Sequence, residues 1–203
     1  DFQNTKITSF VVQEGGNCKS IWRHAFQGCS SLTNVVLAEG IGTLGSLNAD
    51  QGHVFDGCTQ LKQINFPSTL TNIGYNTFQN CTAMNGEFIW PETVPILPAN
   101  CFNGSGISAF IAKTGLKTIH QSVFVNCANL KVVVLSDTLE SISQASYAQS
   151  VHNLTVYWRA CPKNATNGGI FTDWGSGKNR THYFSATPEN IVAWQAVEAL
   201  DTL

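Results

Sequence analysis

The sequence predicts a right-handed solenoid with a parallel β-sheet, because one short unit repeats along the 203 residues. The first indication is an aromatic residue that recurs at steps of 29, 23, 24, 22 and 23 residues. The second is a small residue three positions after each aromatic residue. The aromatic residues are Phe26, Phe55, Phe78, Phe102, Phe124 and Tyr147, and the small ones are Cys29, Cys58, Cys81, Ser105, Cys127 and Ser150. A fixed period of this length indicates a repeat architecture.

Each unit also carries two apolar runs that predict β-strands. The longer run follows the small residue, and the shorter run comes about four residues after it. The longer runs are 32–37, 61–66, 84–90, 107–112, 130–135 and 151–158, and the shorter ones are 70–73, 94–97, 116–119 and 139–142. Leu-x-x-Leu-x-Leu spacing at a period of 20–29 residues is typical of leucine-rich repeats. We therefore expect an α/β repeat fold of about six 22–24-residue repeats, the first one extended by an inserted loop at 38–53.

The repeat also carries a resemblance to a known family. Residues 55–74 read Phe-x-x-Cys-x-x-Leu-x-x-Ile-x-Phe-Pro-x-x-Leu-x-x-Ile-Gly, and residues 25–32 read Ala-Phe-Gln-Gly-Cys-Ser-Ser-Leu. This pattern resembles the BspA-like (treponemal-type) leucine-rich repeats of bacterial surface proteins, over about residues 18–158. The resemblance implies a location at the bacterial cell surface or outside the cell. It also implies a protein partner, such as a host matrix or cell-surface protein.

Both ends of the chain are predicted to close the solenoid within a single domain. Residues 1–24 are interpreted as an N-terminal strand cap and partial repeat with a ragged start at 1–6, and residues 25–158 as the repeats. Residues 159–203 are predicted to hold an irregular loop, a last strand at 182–186 and a helix. Thr187-Pro188 is typical of a helix start, and apolar residues at spacing three predict that the helix continues to about Leu200. This strand–helix pair also resembles the C-terminal cap of the family.

The composition argues against several classes of function. The net charge is 11 − 13 = −2, so no basic surface indicates nucleic acid. No apolar run approaches 18 residues, so no membrane span is predicted. Phosphate-loop, zinc-protease and nucleophile-elbow motifs do not occur, and the five histidines are scattered. We therefore expect no enzyme activity, cofactor or metal site, and any export signal to lie outside these residues.

The seven cysteines are predicted to be mostly buried free thiols. Four of them share the small-residue position of the repeat, where Ser105 and Ser150 replace cysteine in two units. No pairing of disulfides accounts for serine at two of these positions, whereas a small buried side chain accounts for all six. Cys161 lies before a proline in a loop-like stretch, and it is expected to be the most exposed thiol.

The outward face of the sheet is the candidate binding site. Strand side chains alternate, so the fifth position of Leu-x-x-Ile-x-Leu points away from the core. Asn65 is the polar exception among these positions. The apolar ones are Val36, Ile89, Ile111, Val134 and Tyr157. Adjacent rungs are about 4.8 Å apart, so these residues predict a continuous apolar stripe, to which Phe171 and Trp174 of the loop at 159–181 are added.

Three interpretations of this stripe stay open. It is a partner-binding or homodimer face, since large exposed apolar patches often bind other proteins. Alternatively, it reflects only the preference of β-branched residues for strands, or inserted loops cover it. The corresponding functions are an adhesion module, or a structural spacer within a larger surface protein. A further alternative is a fragment of an enzyme whose active site lies elsewhere.

Overall fold

The computed structural model describes residues 1–48, 52–143, 153–159 and 180–184, and these residues form a parallel-sheet solenoid of about six turns. The strands are β1 (Ser9–Val11), β2 (Ser20–Ile21), β3 (Asn34–Val36), β4 (Thr43–Leu44), β5 (Gln63–Ile64), β6 (Asn72–Ile73), β7 (Glu87–Ile89), β8 (Ile96–Leu97), β9 (Ala109–Ile111), β10 (Thr118–Ile119), β11 (Val132–Leu135), β12 (Ser141–Ile142), β13 (Leu154–Trp158) and β14 (Arg180–Phe184). The predicted C-terminal helix at 188–200 lies outside the described residues.

The strands form two columns, in which every pairing is parallel. The first column contains the odd-numbered strands and β14, and it holds the longer apolar run of each repeat. The second column contains β2, β4, β6, β8, β10 and β12. Both columns are interrupted at the same level, between β5 and β7 in the first and between β6 and β8 in the second. We call this double interruption the seam.

A third column consists of the Phe-x-x-Cys turns, and it continues across the seam. The N–H of Phe55 donates to the carbonyl of Thr77 at 3.0 Å, and the N–H of Phe78 donates to the carbonyl of Cys101 at 2.9 Å. Each turn is preceded by a residue with φ between 55° and 59°, where asparagine is favoured among residues with a Cβ. These residues are His24, His53, Asn76, Asn100 and Ser122. His53 is therefore a turn residue, as its place in the repeat predicts.

The phenylalanines of the turns stack into one ladder through the core. Successive ring centroids are 5.3–6.1 Å apart, and the rings are nearly parallel. The ladder starts at Phe2, so the prediction of a ragged segment at 1–6 is wrong. The N–H of Phe2 donates to the carbonyl of Ala25 at 2.8 Å, and Thr5 takes the small-residue position, 3.6 Å from the sulfur of Cys29. Residues 1–8 thus begin a further turn of the solenoid.

The inserted loop predicted at 38–53 is partly a regular element. Thr43 and Leu44 form β4, which pairs with β2 on one side and β6 on the other. Ile41 and Leu44 are fully buried in the core. The spacing Ile-x-x-Leu repeats the shorter apolar run of the other units, so this segment completes the second column. Only the residues after β4 belong to the insertion.

The cysteine positions form a second ladder beside the phenylalanines. Cys58, Cys81 and Cys127 donate their thiols to the carbonyl of a phenylalanine one turn earlier, at 3.1, 3.2 and 2.9 Å. Burial raises the pKa of Cys58 to about 12 and that of Cys127 to about 11, and it raises the pKa of Cys81 well above its usual range. The described cysteines are free, which confirms the prediction for the ladder. Cys161 lies outside the described residues.

Thiol labelling is expected to separate the buried ladder from the surface. In the native protein, iodoacetamide should modify Cys18, which is exposed, and Cys161, which the sequence predicts to be exposed, and leave five buried cysteines unmodified. The thiolate is the reacting species, and burial keeps the reagent from all five, while a raised pKa also suppresses the thiolate of Cys58, Cys81, Cys101 and Cys127. The five are Cys29, Cys58, Cys81, Cys101 and Cys127. Intact mass before and after denaturation measures the difference, and complete labelling of the native protein would contradict the ladder.

Candidate functional site

The outward face of the first column is open at its N-terminal half. Five large apolar side chains are exposed among the described residues, and three of them occupy the fifth position of the repeat. These three are Val11, Val36 and Ile89, with 49, 39 and 53% of their surface accessible. Val11 lies on β1, in the predicted N-terminal strand cap, and it was not counted in the stripe because the repeat was anchored at Phe26. The predicted stripe depends on exposed side chains, and of its predicted members Val36 and Ile89 are exposed.

The C-terminal half of the same face is closed. Val134 and Tyr157 are buried, and they form a small cluster with Ala109 and Val132 that is separate from the main core. Ile111 is half-buried against this cluster, and the rings of Tyr157 and Tyr183 stack at 5.2 Å. The predicted stripe is therefore not continuously exposed, since its last two described positions are inaccessible. Phe171 and Trp174 lie outside the described residues, and their role stays a prediction.

Asn65 breaks the stripe at the seam. Its side-chain amide donates to the carbonyl of Leu37 at 2.7 Å, and its side-chain oxygen accepts from the N–H of Leu37 at 2.8 Å. The carboxamide of Asn65 thus takes the place of the backbone in bonding to the end of β3. The β3–β5 ladder consequently ends at Ile64, whereas the corresponding β1–β3 ladder extends one residue further, to the pair Val11 and Val36.

One cause of the seam is an extra residue in the turn that contains β7. Met84 and Phe88 are four positions apart, whereas Leu61 and Ile64, which fill the same places one turn earlier, are three apart. The extra residue falls at Asn85-Gly86, directly before β7. An insertion in one strand disrupts the ladder to its neighbour. The extra residue therefore explains the loss of pairing between β5 and β7.

Two prolines account for the seam in the second column. Before the seam, Thr71 and Gly74 flank β6, and each donates its N–H to a carbonyl of the preceding turn, at 2.9 and 2.7 Å. Pro95 and Pro98 occupy the same two positions around β8. Proline has no N–H to donate, so these bonds cannot form across the seam. The sequence places both prolines in the turn that also carries the extra residue.

The seam opens on the outward face as a groove of about 730 Å³. Its floor and walls combine apolar and polar side chains from both sides of the interruption. On the β5 side they include Lys62, Gln63 and Phe66, and on the β7 side they include Asn85, Glu87 and Ile89. Lys62 and Glu87 are both exposed, and no salt bridge of the described residues involves either of them. The groove therefore has one free charge of each sign on opposite walls.

The BspA-type leucine-rich-repeat region model matches this sequence in six copies, over residues 1–48 and 51–158. The chain belongs to this family. BspA-type repeats are typical of bacterial surface or secreted proteins and serve as protein-interaction or structural modules. No curated protein matches the sequence.

Two solved structures of bacterial leucine-rich-repeat proteins are similar to this BspA-type chain. One, from Bacteroides ovatus, is 21% identical with a TM-score of 0.53, over 74% of this chain and 39% of the other. The other, from T. pallidum, is 20% identical with a TM-score of 0.48, over 97% of this chain and 85% of the other. At this identity the first likeness supports the fold alone. The chain spans about two-fifths of the Bacteroides protein.

Two further findings for the described residues of the BspA-type chain concern metal ligands and membrane-spanning helices. Within the described ranges, no cluster of three His, Cys, Asp or Glu side chains suits a metal ion, and no helix is long and apolar enough to cross a membrane. His53 Nδ1 lies 3.0 Å from Asp56 Oδ2, and the rings of His24 and His53 stack at 5.1 Å. These side chains line successive turns, and each bonds within the turn column. They contribute to the regular stacking of the repeats.

Proposed function

We propose that this chain is a protein-binding module that engages a host or cell-surface macromolecule through the outward face of its sheet. One observation carries the proposal. Three of the five exposed large apolar side chains of the described residues, Val11, Val36 and Ile89, share one column on one face. Membership of the BspA-type family supports both a protein-interaction role and a location at the cell surface or outside the cell.

The surroundings of these side chains have the composition of an interface. Asn34 and Glu87 are exposed on β3 and β7, two residues before Val36 and Ile89, and Gln63 is exposed at the same place on β5 between them. Protein interfaces commonly combine an apolar centre with a polar rim. A few side chains near the centre of an interface carry most of the binding energy. Ile89 is the most exposed member of the column, so it is the residue most accessible to a partner.

The test is binding to a panel of purified extracellular-matrix proteins, measured by biolayer interferometry. We expect saturable binding to at least one of them and at least about tenfold weaker binding by Ile89→Lys, which corresponds to about 1.4 kcal/mol. The reason is that lysine replaces the most exposed apolar side chain of the column with a charged one. Trp22→Lys is the matched control, because Trp22 is 77% exposed and follows β2, outside the first column.

The outcomes distinguish specific binding from non-specific hydrophobic adhesion. Equal losses in Ile89→Lys and Trp22→Lys would show general hydrophobic adhesion and contradict the proposed face. Absence of any saturable partner would favour the second candidate, a structural spacer in a larger surface protein. The closed C-terminal half of the sheet favours that candidate, since Val134 and Tyr157 offer no accessible surface.

A further inference from the structure

The seam leaves two strand edges that face each other without a ladder. β7 bonds to β9 through the backbone of Gly86 and Trp90, at 3.0 and 2.8 Å. Alternate residues of a parallel strand bond to opposite neighbours, so Glu87 and Ile89 direct their N–H and C=O groups towards β5. Within the described residues, no backbone hydrogen bond joins β5 to β7. These backbone groups are therefore available on the open side of the groove.

The edge of β5 that faces β7 also presents unpaired backbone N–H and C=O groups. Asn34 and Val36 of β3 bond to the first turn, so the backbone of Val35 bonds to β5, where its partner in the register is Ile64. A residue of a parallel strand bonds to the two neighbours of its partner, so the backbone of Ile64 itself is turned towards β7. The entrance of the groove between the two edges, at Gly86, is open. A Cβ built at Gly86 meets no atom within 4 Å. An exposed row of unpaired strand groups is a template for pairing with another chain.

The two halves of the solenoid remain joined behind this groove. The turn column continues through the seam, with the N–H of Asn80 donating to the carbonyl of Asn103 at 2.9 Å. The hydroxyl of Tyr75 also lies 3.1 Å from Nδ1 of His120, two turns further on. The interruption is therefore a local feature of the sheet, and the fold persists around it.

We propose that the seam is a β-augmentation site, at which an extended segment of a partner polypeptide lies in the groove and bonds through its main chain to β5 and β7. This inference rests on the proposed function and names the form in which the partner binds. Main-chain bonds supply affinity in such complexes, and side-chain pockets supply specificity. Here Lys62 and Glu87 stand on opposite walls, so they select a segment with an acidic side chain towards β5 and a basic one towards β7. Strands of this sheet are two to five residues long, so a segment of similar length fits.

Amide hydrogen exchange of the free protein tests the open edges directly. The amides of Glu87 and Ile89 are expected to exchange at least about 100-fold faster than those of Ala109 and Ile111. The latter pair occupies the same positions one turn later, where the register pairs each residue with β7. Equal protection of the two pairs, measured by NMR, would overturn the proposal.

The second test uses linear peptides selected from a display library on the wild-type protein. Binding of a selected peptide should slow exchange at Glu87 and Ile89. Glu87→Pro removes one free-edge N–H and should weaken binding at least about tenfold relative to Glu87→Ala, which loses only the side chain. Circular dichroism verifies that both variants fold, and if the proline variant does not, the exchange measurement decides. Failure to select any peptide, or equal binding by the two variants, would overturn the proposal.

The results distinguish this inference from the proposed function. A matrix protein that loses binding in Ile89→Lys but binds Glu87→Pro and Glu87→Ala equally would support the outward face and overturn the seam. A peptide that protects the amides of Glu87 and Ile89, with no matrix protein bound, would support the seam and overturn the matrix-binding function.

Discussion

Phe78→Ala is expected to lower the free energy of unfolding by about 3–5 kcal/mol, the usual loss for a buried phenylalanine. Phe78 is fully buried at the middle of the phenylalanine ladder. Its ring lies 5.9 Å from that of Phe55, 5.6 Å from that of Phe102 and 5.4 Å from that of Phe88. The cavity would therefore be lined by rings of three different turns, which cannot collapse onto it without moving the stacked backbone. Urea unfolding followed by circular dichroism measures the loss.

Phe2→Ala is the matched control for this prediction. Phe2 has the same place in its turn and stacks on Phe26 at 5.3 Å, but it lies at the end of the ladder and is 40% exposed. Its replacement should cost about 1 kcal/mol or less, because less apolar area leaves water on folding. Equal losses for the two variants would mean that the position in the ladder does not govern the loss in free energy of unfolding. A loss below about 1 kcal/mol for Phe78→Ala would contradict the register of the repeat.

The repeat was predictable because each unit meets the same environment in every turn. A phenylalanine and a cysteine recur at one period because each stacks on its counterpart, and the ring distances and thiol–carbonyl bonds bear this out. The first turn was predicted only as a strand cap and partial repeat, because threonine replaces cysteine at residue 5. The signal was present, since Phe2 and Thr5 each lie 24 residues before Phe26 and Cys29.

The candidate site was predictable only in part. Alternation along the strands identifies which side chains point outwards, and Val36 and Ile89 are exposed as expected. Alternation does not show what packs on the outer face, so the burial of Val134 and Tyr157 could not be predicted from it. The individual signals of the seam, Asn65, the extra residue and the two prolines, are visible in the sequence. Their joint effect depends on hydrogen bonds between neighbouring turns, which one repeat read by itself does not reveal.

Gly115→Ala is expected to lower the free energy of unfolding about as much as Phe78→Ala does, because two unfavourable effects coincide at this residue. Gly115 has a φ of +83°, and a Cβ there would lie 1.8 Å from the carbonyl oxygen of Glu92 in the preceding turn. The left-handed conformation costs about 1–2 kcal/mol and overpacking about 1–3, so the total is about 2–5 kcal/mol. The close approach is to backbone, so relief requires the two turns to separate rather than a side chain to rotate.

Gly15→Ala separates the two penalties. Gly15 has a similar φ of +74°, but no atom lies within 4 Å of a Cβ built there. Only the conformational cost of about 1–2 kcal/mol should remain. The difference between the two variants in urea unfolding therefore measures how closely neighbouring turns approach at Gly115. If Gly115→Ala lost no more stability than Gly15→Ala, the two turns could not approach each other at Gly115 as closely as this backbone spacing requires. Tight stacking of the turns would then not be what stabilises the solenoid.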